Sequence, residues 1–267
     1  MTISQGLVSK AEQLFQQADE AYEADDYETT IQLTLEVLDL YSTANIETAP
    51  EIHQLMEAEP LNLLGLAYQG LGRYPEAIDE FEQSLAIYQE LDNDDIGQAR
   101  VLGNLGITYF YQSQLDQALN FFEQTLSVID SSDAQTTLPE ESKIIETRVL
   151  AATASVHYSL GQPETSMRYA QRAMIAAQAI NHRKLESAAL IVLGNSNFGL
   201  ENYQLAISFY ERAIEITRDL GDRPNTAATL TNSGNAYREL GRYRKAIDLY
   251  QQALEIEYEI GDQLGIA

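Results

Sequence analysis

The chain of 267 residues has no cysteine and no tryptophan. Without thiols there is no disulfide framework, no thiolate metal site and no cysteine nucleophile. Basic charge is scarce: 16 lysines and arginines stand against 41 aspartates and glutamates, for a net charge of −25. A field of that sign repels phosphate backbones and anionic lipid, which argues against nucleic-acid and membrane-surface partners. No apolar run reaches the ~18 residues of a membrane-spanning helix. The start Met1-Thr2-Ile3-Ser4-Gln5 lacks the charged and apolar regions of a signal peptide, and a cytoplasmic location is expected. Four lysines against twelve arginines, with abundant glutamine, suggest a bacterial source.

Chemistry-bearing motifs are missing as well. His53, His157 and His182 have no partner at metal-ligand spacing. There is no phosphate loop, no H-E-x-x-H and no G-x-S-x-G. The run Asp92-Asn93-Asp94-Asp95 lacks the closing glutamate of a calcium loop. No catalytic residue, metal or cofactor is expected.

What the chain does contain is a repeat. Gly65, Gly106, Ala154, Gly194 and Gly234 share one position; Tyr68, Tyr109, His157, Asn197 and Tyr237 follow three later. Ala77, Ala118, Ser166, Ala206 and Ala246 come next, then Phe81, Phe122, Ala170, Tyr210 and Tyr250, then Leu85, Leu126, Met174, Ile214 and Leu254. The successive spacings are 41, 48, 40 and 40 residues, with a weaker copy at Ala18, Ala21, Tyr27, Thr30 and Leu38. Apolar residues recurring at three and four describe helices. Gly72, Gly161 and Gly241 mark the turn between the two helices of a unit, and Tyr27, Tyr74, Tyr203 and Tyr243 open the second helix. The small residues let the paired helices approach, and the aromatic residues are expected to fill the gap against the next repeat.

At these residues the chain resembles the tetratricopeptide repeat proteins. Leu64-Gly65-Tyr68-Ala77-Phe81 and Gly234-Tyr237-Ala246-Tyr250-Ala253 carry the family pattern. The spacing near 40 and the linking Gly221-Asp222 and Gly261-Asp262 are similar to the long-repeat subclass, which includes spindle-orientation Leu-Gly-Asn repeat proteins and kinesin light chains. The resemblance implies an all-α, right-handed superhelical solenoid of stacked antiparallel helix pairs, a single array over residues 1–267. Its units are expected near 10–45, 50–92, 96–130, 142–181, 184–221 and 224–261, with a loop at 130–141 and the start of another repeat from 262. The unit around Ala154 departs from the pattern at His157, Pro163 and Ala170, and the first unit at Thr30 and Thr34. Members that grip a chaperone tail use lysine, asparagine and arginine at set places. Asn104 and Arg148 match two of them, and Asn62, Leu66 and Ala152 do not, so this chain is not expected to bind such tails.

In that family the first helix of each unit lines a concave face. The positions that fall there are Asn62, Arg100, Phe110, Arg148, Tyr158, Asn195, Phe198, Thr231, Asn235 and Arg238. Asparagine is a poor helix former, so two at one frame position need a reason. One reading is hydrogen bonding to a bound peptide backbone, with the arginines pairing ligand carboxylates; the other is a bridge between neighbouring helices. Phe110, Tyr158 and Phe198 are either anchors for a partner or packing between repeats. The charge is uneven: residues 1–142 hold 27 acids against Lys10, Arg73 and Arg100, whereas residues 143–267 hold 14 acids against 13 bases. The acidic part is a solvated surface or an entrance for a basic segment. The function expected is a non-enzymatic scaffold that binds a peptide or helix of a partner protein. The alternative is the sensor or regulatory arm of a larger signalling protein.

Overall fold

Apolar side chains that return every three or four residues leave water together only as one face of a helix. In the computed structural model, which describes residues 3–43, 50–90, 95–131 and 140–263, every such stretch is helical. The helices come in pairs: α1 (Ile3–Glu23) with α2 (Tyr27–Thr43), α3 (Pro50–Gly70) with α4 (Tyr74–Glu90), and α5 (Asp95–Tyr111) with α6 (Leu115–Ser131). They continue as α7 (Glu140–Ser159) with α8 (Pro163–Ala179), α9 (Arg183–Gly199) with α10 (Tyr203–Asp219), and α11 (Arg223–Glu239) with α12 (Tyr243–Gln263). No strand occurs among the described residues. Ser132, Thr136, Thr137, Pro139, Asp92, Asn93, Asp94 and the residues after Gln263 lie outside the described part, as does the side chain of His53.

The helices group into two compact units, Met1–Gln135 and Thr136–Ala267. The same packing rule holds within each. Paired helices lie side by side, and each second helix also touches the first helix of the next pair. First helices touch one another (α1 with α3, α3 with α5; α7 with α9, α9 with α11), whereas second helices do not among the described residues. First helices therefore line the inside of the curve in each unit.

The repeat frame has a steric meaning. A side-chain carbon added at Gly234 would fall 2.6 Å from the Tyr250 ring, and one at Gly65 2.7 Å from the Phe81 ring. Gly106 stands in the same relation to Phe122, and Gly194 to Tyr210. The aromatic ring thus lies on the glycine of its own repeat, and it also packs with the next one as the sequence suggested, Phe81 with Val101 and Leu105 and Tyr210 with Ala236. This pairing also explains the unit that departs from the pattern. Where the glycine becomes Ala154 the ring gives way to Ala170, and Ala18 likewise stands with Thr34; all four are fully buried. Space is conserved across the pair because interiors tolerate neither voids nor overlap.

The turns obey one geometry. After α3, Gly72 takes φ 71°, its N–H donates to Gln69 C=O and the Arg73 N–H donates to Tyr68 C=O, which closes the helix end. Gly161, Gly221 and Gly241 do the same, but Asp25, Ser113, Asn181 and Glu201 also adopt φ of 54–61°. A left-handed conformation at a residue with a Cβ is strained, and Glu201 has neither the short amide nor the short carboxylate that eases it.

Candidate functional site

On a first helix of the second unit, three sides are taken: by its own second helix and by neighbours on either flank. The remaining stripe is the accessible one. On α9 it runs through Lys184, Ala188, Ile191, Asn195 and Phe198, and on α11 through Ala228, Thr231, Asn232, Asn235 and Arg238. On α7 it includes Arg148, Ala152, Ser155 and Tyr158. Seven of the ten residues singled out from sequence fall on this one face: Arg148, Tyr158, Asn195, Phe198, Thr231, Asn235 and Arg238.

The two asparagines are held in place from behind. The Tyr210 hydroxyl donates to Asn195 Oδ1 at 2.8 Å, and the Tyr250 hydroxyl donates to Asn235 Oδ1 at 2.8 Å. Asn232 Nδ2 adds a second hydrogen bond to Asn195 Oδ1 at 3.3 Å. Each carboxamide oxygen is thus engaged, while neither Asn195 Nδ2 nor Asn235 Nδ2 has an acceptor among the described residues. Burial, with Tyr158 alongside, pushes the Tyr210 hydroxyl well above the usual phenol range, so it stays a donor at physiological pH. Each side chain therefore presents a fixed pair of N–H donors.

Sequence reasoning missed the tyrosines' part, although the signal was there. Asparagine one place after the frame glycine accompanies tyrosine sixteen places after it, in both repeats. Where that ring is Phe81 or Phe122, the partner position is Leu66 or Ile107. The bridging reading holds for the oxygen of each asparagine. The oxygen bridges helices within one repeat, and the nitrogen remains available.

The remaining candidates are arranged differently. Phe198 meets Tyr203 edge to face, with centroids 5.3 Å apart, and packs near Tyr237 and Leu240. Tyr158 is half-buried beside Gly199. Arg238 is exposed and pairs with its neighbour Glu239 at 2.8 Å, a contact weak enough to exchange for a ligand. Thr231 and Arg148 are half-buried.

In the first unit the expectation fails for Asn62. It is 4% exposed and accepts from Asn104 Nδ2 at 2.8 Å, so it ties α3 to α5 and offers a ligand nothing. Arg100 is also committed: its guanidinium donates to both carboxylate oxygens of Glu59 at 2.6 and 2.5 Å, and Tyr88 donates to the same group at 2.6 Å. Phe110 is half-buried with its ring 6.1 Å from Tyr111. All three bases of the first unit meet glutamates, Lys10 at Glu36, Arg73 at Glu76 and Arg100 at Glu59. Most of that unit's carboxylates thus have no cation from their own unit.

No group of histidines and carboxylates among the described residues has the geometry of a metal site. His157 stacks on Tyr169 at 5.3 Å and shares a hydrogen bond with Gln162, and His182 caps the start of α9 by accepting from the Leu185 N–H. No helix of the described part is long and apolar enough to cross a membrane.

Comparison with known proteins agrees with this architecture. The family model described as tetratricopeptide repeat matches residues 56–131, 146–219 and 185–257. No curated protein matches the chain by sequence. Among solved structures, BtubC from P. vanneervenii is similar with a TM-score of 0.66 at 17% identity, over 98% of this chain and 93% of that one. Aspartyl phosphate phosphatase F from Bacillus subtilis is similar with a TM-score of 0.67 at 15% identity; 94% of this chain is covered but only 60% of that one. The Rap conjugation gene regulator of plasmid pLS20, in complex with the Phr* peptide, is similar with a TM-score of 0.68 at 14% identity, over 96% and 76% of the two chains. At such identities these likenesses speak to the fold.

Proposed function

Because the chain belongs to the tetratricopeptide repeat family, we propose that it is a non-enzymatic interaction scaffold that holds a peptide or helix of a partner protein on the first-helix face of its second unit. The observation that carries this is the repeated amide: Asn195 and Asn235, each anchored through its oxygen by a tyrosine. Donors fixed in advance and repeated once per helix pair suit a main chain, whose carbonyls also repeat. Arg238, Arg148 and the edge of Phe198 lie on the same face for the ligand's side chains. The acidic first unit favours a partner with a basic segment and disfavours nucleic acid. The peptide-bound likeness to the pLS20 regulator supports a second version of this reading, in which the array is the peptide-sensing arm of a signalling protein.

The test is a phage-displayed peptide library panned on the protein, with recovered peptides titrated calorimetrically. Asn195→Asp and Asn235→Asp keep the oxygen that accepts from tyrosine and turn the outward donor into an acceptor. Each should weaken binding about tenfold or more, since a lost buried hydrogen bond costs ~1–3 kcal/mol. Unchanged affinity in the double variant, with binding lost on reversing the acids Glu80 and Glu82, would move the site to the acidic surface.

A further inference from the structure

Helix α12 carries an apolar stripe that no described residue covers. Tyr243, Ile247, Leu254 and Tyr258 are 64%, 53%, 62% and 70% exposed. They share one face, with Gln251 in the central gap, over roughly 22 Å of helix at 1.5 Å per residue. One repeat earlier the positions of Ile247 and Leu254 are Ile207 and Ile214, which are 6% and 7% exposed and packed against α11 and α12. The stripe therefore has the composition of a covered face. Scattered apolar residues on a surface need no account, but a contiguous row marks an interaction site.

The row also reads alike in both directions. About the point between Tyr250 and Gln251, Ile247 mirrors Leu254 and Tyr243 mirrors Tyr258. The start of the helix is basic (Arg242, Arg244, Lys245) and its end acidic (Glu255, Glu257, Glu259). Arg244 and Glu255 have no ionic partner among the described residues. A parallel neighbour of the same sequence would bring like charges together; an antiparallel one brings opposite charges together. A two-fold axis beside Gln251 sets each Ile247 on Leu254 of the second copy and each Tyr243 on Tyr258, and brings each Arg244 beside Glu255, which lies on the same flank of the stripe. That is the self-complementarity a two-fold interface requires. The strong negative charge that would oppose association is carried mainly by residues 1–142, while residues 143–267 hold 14 acids against 13 bases.

We infer that α12 is a self-association surface through which two copies of this chain pair antiparallel across a two-fold axis. One helix pair with its flanks lies at the small end of stable interfaces, so the dimer forms reversibly with concentration. This inference does not depend on the peptide-binding reading.

Sedimentation of the full chain from low to several hundred micromolar tests it. The weight-average mass should rise from 29.8 kDa towards twice that value. Ile247→Asp and Leu254→Asp, both at exposed positions, should hold the mass at one chain with an unchanged circular dichroism melt. Arg244→Glu should weaken association at least tenfold, and Arg244→Glu with Glu255→Arg should restore it. Because the chain has no cysteine, Gln251→Cys provides a clean second readout: mild oxidation should give a covalent dimer, while Gln83→Cys, on an exposed part of the first unit, should not. A mass fixed at one chain throughout, or a dimer indifferent to Leu254→Asp, or failure of the charge swap to restore pairing, overturns the proposal.

Discussion

Replacing Asn195 by leucine should destabilise the protein, and replacing Tyr210 by phenylalanine as well should largely cure it. Tyr210 is 1% exposed and its hydroxyl donates to Asn195 Oδ1 at 2.8 Å. Asn195→Leu leaves that hydroxyl buried without its acceptor, which costs ~1–3 kcal/mol. Tyr210→Phe leaves an amide oxygen that is half-accessible and still accepts from Asn232, so its cost is nearer ~0.5–1 kcal/mol. The double variant has neither group. It reproduces pairs that the chain already uses, Leu66 with Phe81 and Ile107 with Phe122, and should lie within about 0.5 kcal/mol of the parent, because removing both partners of a hydrogen bond is nearly neutral. The coupling expected from the cycle is therefore about 1–4 kcal/mol. Thermal unfolding followed by circular dichroism resolves this, since 1 kcal/mol moves the midpoint by ~2–4 °C in a chain of this size. Costs that simply add, or a silent Asn195→Leu, would refute the argument that tyrosine fixes the carboxamide.

Other outcomes follow from the same geometry. Gly194→Ala should cost ~1–3 kcal/mol by driving a methyl group into the Tyr210 ring, read as a lowered denaturation midpoint; an unchanged midpoint would contradict the close approach. Glu201→Gly should stabilise the turn before α10 by about 0.5–1 kcal/mol, because relief of a left-handed φ of 61° outweighs the entropy of glycine; an unchanged or lowered midpoint would contradict it. Alkaline pH should unfold the protein through its tyrosines. Tyr27, hydrogen-bonded to Asp25 and partly buried, is pushed up to about 12, and burial raises Tyr210 further. Below pH ~10 tyrosine is protonated in both folded and unfolded chains. As pH rises through ~10–12 the unfolded chain releases protons first and stability falls; tyrosinate absorbance and ellipticity should change together, and early ionisation of a still-folded protein would count against the buried hydroxyls.

The helix pairs were legible because a 40-residue frame fixes period, turn and core together. The frame's glycines and rings were also visible in sequence, but not which ring met which glycine. Contacts within a repeat and between repeats share the same spacing rules, and only the packed fold puts Tyr210 over Gly194. In the second unit the first-helix rule implied by the family resemblance selects Asn195, Thr231, Asn235 and Arg238, which share one stripe. It failed at Asn62 and Arg100 for a different reason. Burial there depends on what the neighbouring helix offers, and Asn104 and Glu59 lie 42 and 41 residues away. Pairwise substitution inside one chain was the overlooked signal: glycine with a large ring, alanine with a small residue, asparagine with tyrosine, leucine or isoleucine with phenylalanine.

The asparagine–tyrosine pair is hard to explain by stability alone. In the second and third repeats an apolar residue and phenylalanine fill the same space. A buried neutral hydrogen bond adds little over such an isostere, and asparagine in a helix interior costs several tenths of a kcal/mol against leucine. Two successive repeats nevertheless carry it, at a frame position that lies on the accessible stripe. What distinguishes the polar pair from the apolar one is the amide nitrogen it leaves outward. A side chain that contributes nothing to the core beyond what leucine would, and that is held rigid by a hydroxyl behind it, makes sense as a donor for something outside the fold. If the double variant Asn195→Leu with Tyr210→Phe melts like the parent yet no longer retains peptides selected on the parent, stability and binding will have been separated at a single pair. If it retains them, the amide has no external partner and the scaffold reading must rest on other residues of the face.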